Sequence, residues 1–281
     1  MDLKRKPFYL DDTAIEWVNN TLNGLTEDEK IGQLFFPIGF STEKEYLNHL
    51  RSLGIGGLFF RPGVAEEVQQ TYEYMQRTSK VPLLTAANLE DGGNGSSIEG
   101  TAFGNQMAVA ATNQTSDAYT LGKIASSEGK AVGVNFGFSP VVDLDLNFRN
   151  PITNVRTYGS DVERVIKNAK EYIQAFHDNG IMTSIKHFPG DGVDERDQHL
   201  LTSINSLSVD NWKKTFGKVY QELIDFGSKA VMVGHIAFPA YSGDEMPATL
   251  SPQLLQDLLR NELGFNGLTI KIGRASCRER V

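Results

Sequence analysis

Short apolar runs alternate with amphipathic stretches along almost the whole chain, and that alternation limits the fold more than any other feature of the sequence. "GIGGLFF" (54–60), "VPLLTAANLE" (81–90), "VGVNFGFSPVVDLD" (132–145), "IMTSIKHF" (181–188), "KAVMVGHIAF" (229–238) and "GLTI" (267–270) have the length and the β-branched or aromatic content of buried strands. Between them, "VAEEVQQTYEYMQR" (64–77), the region 117–130 and "DVERVIKNAKEYIQAFHDNG" (161–180) read as helices, the last stopped by Gly180. Thr26 with Glu29 forms a capping box ahead of Ile31, Leu34 and Phe35, and further helices open at Ser208 and Ser251. Strands that are apolar throughout and interleaved with helices imply a parallel sheet covered by helices.

Polar side chains collect at the downstream ends of these strands: Asn88 and Glu90, Asp143 and Asp145, Lys186 and His187, His235. In a (β/α)8 barrel those ends form the active-site face, whereas a doubly wound sheet concentrates its ligand at one switch point, usually beside a glycine-rich phosphate loop. The expected fold is therefore α/β, a TIM-type barrel that is incomplete, with about six strands and the start of a seventh. No internal repeat or low-complexity linker divides it.

The formal charge of the 281 residues is −8. Lys271, Arg274, Arg278 and Arg280 against Glu279 give the last eleven residues three net positive charges, so residues 1–270 carry −11. That balance argues against nucleic acid or an anionic membrane as partner. The N-terminus, "MDLKRKPFYLDD", has no apolar run of signal-peptide length and no later run suggests a membrane span, so a cytosolic location is expected. Cys277 is the only cysteine, which excludes an internal disulfide and fits a reducing compartment.

"KHFPGDGVDERDQH" (186–199) carries the densest chemistry, with two His, four acids and two basic residues in fourteen positions. A calcium loop starting at Asp191 fails, because Val193 and Arg196 occupy positions that need an oxygen ligand and a glycine. A zinc site using His187, His199 and an acid is an alternative, without the support of an HExxH pattern or a Cys cluster. A third reading pairs Asp197 with His199: side chains at i and i+2 of an extended segment share a face, and the carboxylate orients the imidazole and favours its protonated form. Such a pair suits a general acid.

The pattern "KHFPGDG....DQH" resembles the motif of glycoside hydrolase family 3, in its β-N-acetylglucosaminidase branch, which runs Lys-His-Phe/Ile-Pro-Gly-His-Gly and then Asp-Ser/Thr-His. Asp191 stands where that branch has His, and Gln198 where it has Ser or Thr. The segments "EKIGQLFF", "ANLEDGGNG", "FSPVVDLDLNFRNPITNVRTYGSD", "VMVGHIAFP", "PATLS" and "LLRNELGFNGLTI" are similar to the family's, in its order. The resemblance therefore covers residues 1–270 as the family's N-terminal barrel domain.

The resemblance implies a set of sugar-binding positions. Asn88 falls where many members have an Asp that holds sugar hydroxyls, so its bonds lose charge assistance. Glu90 shares that strand-end turn, and Asp143 matches the acid that follows the "PVV" strand. Arg156 matches an arginine that reaches the sugar, its planar fork suiting vicinal hydroxyls. Lys186 and His187 match the pair that binds the ring before the scissile bond. His199 and Asp197 match the catalytic dyad, and no metal or organic cofactor is implied.

Retaining glycosidases also need a nucleophile, which in this family is an Asp just after the seventh strand. Here "GLTI" runs into Lys271 and the similarity stops; the nucleophile position is 272. Reverse translation of Ile272 to Val281 reproduces a common sequencing-adapter oligonucleotide, so residues 271–281 are expected to be a non-native tail. The resemblance thus implies a parent enzyme that releases terminal β-linked N-acetylglucosamine from a carbohydrate partner, with the 281-residue chain itself inactive. A family 3 β-glucosidase, a phosphorolytic relative and a sugar-binding fragment without catalysis are the alternatives.

Overall fold

A computed structural model describes residues 2–60 and 62–271. The adapter-like residues 272–281, and with them the nucleophile position, lie outside the described residues. The strands are β1 (Ile38–Gly39), β2 (Gly57–Phe60), β3 (Leu84–Ala87), β4 (Phe136–Gly137), β5 (Met182–Phe188), β6 (Ser203–Ile204), β7 (Ala230–Val233), β8 (Ile236–Ala237) and β9 (Leu268–Ile270). The helices are α1 (Asp12–Asn23), α2 (Glu27–Gly32), α3 (Lys44–Ser52), α4 (Ala65–Thr78), α5 (Gln106–Ala111), α6 (Thr115–Ala131), α7 (Val162–Asp178), α8 (Val209–Lys214), α9 (Phe216–Phe226), α10 (Pro239–Ser242) and α11 (Gln253–Glu262), the last with π-type bonding.

One parallel sheet runs β1-β2-β3-β4-β5-β7-β9, and β6 pairs with β8 in a second. Ala86 lies opposite Phe136, Ser184 opposite Ala230 and Val231 opposite Thr269, so consecutive strands keep their C-terminal ends on one side. With helices packed outside, the sheet is a curled, incomplete (β/α)8 barrel, as the sequence implied. Among the described residues β1 pairs only with β2, and β9 only with β7.

Two sequence expectations change in detail. "VGVNFGFSPVVDLD" gives a paired strand of only two residues, because Pro140 lacks an N–H for a ladder; beyond it Val141 makes a single bridge to Lys186. "KAVMVGHIAF" splits between the two sheets, as β7 and β8.

The outer layer follows the helical repeat. In α7, Val165, Ile166, Ala169, Tyr172, Ile173 and Phe176 are buried at spacings of three and four, Asp161 caps the start by accepting from Arg164 N, and Gly180 takes φ +72° beyond the end. Gly122 lets α6 and α7 approach: a Cβ there would lie 2.8 Å from Tyr172 O. Inside the curl, Phe36, Phe59, Phe136 and Phe138 pack ring to ring at 5.2–6.2 Å with Ala86, Ala230 and Met232. They fill the centre below the strand ends, leaving the polar groups above it.

The capping box of α2 forms as read, but the helix ends at Gly32, and Ile31, Leu34 and Phe35 are exposed beside β1. Gly32 faces the protein instead, where a Cβ would meet Leu53 O at 2.1 Å.

Candidate active site

The site grows from the ends of β3, β4 and β5. Beyond β3 the chain turns through Asn88, Leu89 and Glu90, and the buried Tyr172 hydroxyl of α7 fixes this turn by donating to Leu89 O at 2.7 Å. The Glu90 carboxylate receives Arg156 Nε at 2.8 Å, Arg156 Nη2 at 2.9 Å and Lys186 Nζ at 2.5 Å. Asn88 Oδ1 lies 3.5 Å from the same ammonium. Burial alone would raise the Glu90 carboxyl, but Lys186 and Arg156 outweigh it and hold the group well below the usual carboxylate range. For Lys186 burial dominates and lowers the ammonium against the pull of Glu90.

Arg156 is partly engaged within the protein. Two of its five N–H groups are bonded to Glu90, and a third reaches Ile152 O at 3.3 Å. The remaining two are what a ligand could engage.

Asp143, beyond β4, has a side chain with no exposure, and its carboxylate is occupied by protein. Oδ1 accepts from His187 N at 3.0 Å and Asp191 N at 2.8 Å, and Oδ2 pairs with His187 Nδ1 at 2.7 Å. Asp143 thus shapes the site through its neighbours. Burial lowers the pKa of His187 in spite of Asp143, which makes it a neutral ring donating through Nδ1.

The loop after β5 is pressed onto this framework. Gly190, at φ +122°, lies where a Cβ would meet the Phe216 ring at 2.2 Å, and Gly192, at φ +100°, where a Cβ would meet Leu144 O at 2.0 Å. Both need a residue without a side chain, which accounts for the "PGDG" spacing. Trp212 of α8 donates to Pro189 O at 2.7 Å and Asn205 to Gly190 O at 3.1 Å, while β6 pairs with β8.

At the outer end of this loop Asp197 Oδ1 accepts from His199 N at 2.8 Å and pairs with His199 Nδ1 at 2.7 Å. The expected pair is present, but on a turn and not on an extended segment: Leu200 N and Leu201 N both donate to Asp197 O. The aspartate side chain closes the turn by bonding two residues ahead, so one oxygen sets both backbone and ring. The side chains are 44% exposed for His199 and 29% for Asp197, which leaves the ring open to solvent.

Reading the sequence missed Asp191 and Gln198 as parts of the site. Asp191 Oδ1 accepts from Asn150 Nδ2 at 2.8 Å and Gly192 N at 2.7 Å, and Oδ2 from Gln198 Nε2 at 2.6 Å. Burial first, and Asp143 next, push its carboxyl up to about 7. Gln198 Oε1 accepts from His235 N at 3.1 Å. The signal was their position as the two departures from the motif. Among the described residues no three or more His, Cys, Asp or Glu side chains converge as metal ligands.

One end of a parallel barrel therefore presents fixed donors and acceptors around a buried charge cluster, with a His–Asp pair at the rim. That defines a class: a parallel α/β barrel with its polar groups gathered at the C-terminal ends of the strands. Residues 26–271 match the glycosyl hydrolase family 3 N-terminal domain, and the chain belongs to that family. It is 48% identical over 280 residues to a β-N-acetylglucosaminidase/β-glucosidase of Cellulomonas fimi, covering 96% of this chain and 50% of that protein. A β-hexosaminidase A of Pseudoalteromonas piscicida is 32% identical, over 73% of this chain and 39% of its own length. The structure of a β-glucoside phosphorylase, BglX, bound to 2FGlc superposes with a TM-score of 0.93 at 42% identity, covering 98% of this chain and 52% of that one. A family 3 β-N-acetylglucosaminidase from Paenibacillus sp. str. FPU-7 gives 0.85 at 28%, over 90% of this chain and 50% of that one. The chain spans between 39% and 52% of the length of these relatives. Among the described residues no helix is long and apolar enough to cross a membrane.

Proposed function

We propose that the parent of this chain is an exo-acting retaining glycosidase that releases terminal β-linked N-acetylglucosamine, with His199 as acid then base and Asp197 as its orienting partner. The observation that carries this reading is the 2.7 Å His199–Asp197 bond at a half-exposed position on the loop after β5. In the first step the ring gives a proton to the glycosidic oxygen as its bond to the sugar breaks and a carboxylate attacks the anomeric carbon. In the second the neutral ring takes a proton from the water that releases the sugar. The carboxylate of Asp197 stabilises the imidazolium on either side of these transfers. Asn88, Lys186, His187 and the free N–H groups of Arg156 hold the sugar, while Glu90 and Asp143 hold those residues.

The segment from Asn266 to Arg278 contains no Asp or Glu, and position 272 is Ile. The 281-residue chain is therefore expected to bind sugar without hydrolysing nitrophenyl β-N-acetylglucosaminide, since the covalent step has no carboxylate there. Turnover that disappears in His199→Ala would mean that another carboxylate serves as nucleophile.

A second reading is supported by the 42% identity to the β-glucoside phosphorylase across 98% of this chain. In it the sugar is glucose and phosphate replaces water as acceptor; an imidazole at the rim does not repel an entering phosphate as a carboxylate would. Assaying the full-length parent on nitrophenyl β-glucoside and β-N-acetylglucosaminide, with and without phosphate, separates the two. Faster release of N-acetylglucosamine that is indifferent to phosphate supports the first reading, and phosphate-dependent formation of a sugar 1-phosphate supports the second.

A further inference from the structure

The two departures from the motif touch each other. Gln198 lies between Asp197 and His199 in sequence, but its side chain is buried where theirs are partly exposed. Its amide donates to Asp191 Oδ2 at 2.6 Å and accepts from His235 N at 3.1 Å. A carboxylate on one side needs a donor and a backbone N–H on the other needs an acceptor, and of the side chains of this length only glutamine offers both at one planar end. Asp191 is itself immobilised, by Asn150 and Gly192 on its other oxygen and by its own N–H to Asp143. A continuous buried chain of bonds thus runs from Asp143, beyond β4, through Asp191 and Gln198, to His235, the residue before β8.

We propose that Gln198 is a positioning residue for the acid–base step: clamped between Asp191 and the His235 backbone, it fixes the turn on which Asp197 and His199 stand. The inference rests on the reading of His199 as acid and base. Without the clamp the dyad's own bond spans only an exposed turn, held to the barrel next at β6 by its pairing with β8. A small displacement of a proton donor from its acceptor lowers the rate while leaving sugar binding, which uses the β3, β4 and β5 ends, in place.

The test uses three forms of the full-length parent. Gln198→Met keeps the length and removes both bonds; Gln198→Glu sets a carboxylate against Asp191. The double variant Asp191→Asn with Gln198→Glu exchanges the two groups, so that an amide again meets a carboxylate and the His235 N–H again has an acceptor. Both single variants are expected to lower kcat by roughly ten- to a hundredfold with KM within about threefold, part of the total due to acid–base catalysis. The exchange is expected to recover most of that loss. A loss carried by KM, or no recovery in the exchange, overturns the clamp. Should Asp197→Asn leave kcat unchanged, the dyad reading fails, and ring 15N spectra of the 281-residue chain still decide the clamp. Gln198→Met is expected to shift the His199 nitrogens while those of His187 stay; an unchanged His199 spectrum contradicts it.

Discussion

His187 and His199 each bond an aspartate through Nδ1 at 2.7 Å, yet the two pairs sit in opposite surroundings. The His187 ring is 10% exposed and Asp143 not at all, whereas His199 and Asp197 are 44% and 29% exposed. In the first pair the carboxylate also accepts two backbone N–H groups, so it is a structural hub and its histidine a neutral fixed donor. In the second the bonds of the carboxylate to His199 are confined to one turn, and the ring is open to solvent. On the proposed function the same residue pair serves position in one place and proton transfer in the other, and burial makes the difference.

If that contrast holds, the buried pair should govern stability and the rim pair the rate. Asp143→Ala is expected to have the largest effect, because it orphans two buried backbone donors and the ring of His187. The expected cost is about 3–5 kcal/mol, three buried donors left unpaired at about 1–3 kcal/mol each, or a melting temperature lower by roughly 10 °C. Thermal melting of the 281-residue chain checks it; a shift of a degree or two would break the comparison.

Asp197→Asn should do the reverse, since the amide keeps a turn but cannot stabilise an imidazolium. In the full-length parent kcat should fall by about 10²-fold while the melting temperature moves by no more than about 2 °C. A large loss of stability with a small loss of rate would reverse the roles assigned to the two pairs.

A smaller effect comes from two carboxylates with opposite pH linkage. Glu90 is held below its ordinary value, so its contribution is present above an unfolded pKa of about 4.3 and is lost as pH falls toward its folded value. Asp191 is raised to about 7 by burial first and by Asp143 next, with the charge of Arg156 in its field. Between an unfolded value of about 3.9 and about 7 the folded chain holds one proton more than the unfolded chain, so stability falls as pH rises through that window. Asp191→Asn should flatten this slope. Melting curves at pH 5, 6, 7 and 8 measure it, and parallel profiles for the two proteins would contradict the assignment.

Much of this was legible in the sequence because it follows local patterns. The buried spacing of α7, the capping box of α2 and the apolar strands depend on residues close in the chain, and the Asp197–His199 pair is two residues apart. What was not legible depends on loops meeting across the barrel. Glu90 binds Arg156 and Lys186, 66 and 96 positions away, and nothing in the sequence says that the Arg156 fork is turned toward a carboxylate. Gln198 reads as a spacer until β6 and β8 bring the loop against His235. Helix α1 was missed for another reason: it has no buried residue, so it shows no core-facing stripe to read.

The central claim is that His199 delivers the proton that the leaving group requires. In the full-length parent, kcat/KM should be compared for wild type and His199→Ala across aryl glycosides whose leaving phenols span several pKa units. A dinitrophenol needs no proton, so the variant should act on its glycoside nearly as well as wild type; on an unsubstituted phenyl glycoside it should be slower by about 10²–10⁴-fold. An equal loss for every leaving group would contradict the account, because it would mean that His199 holds the sugar or the fold and not the proton.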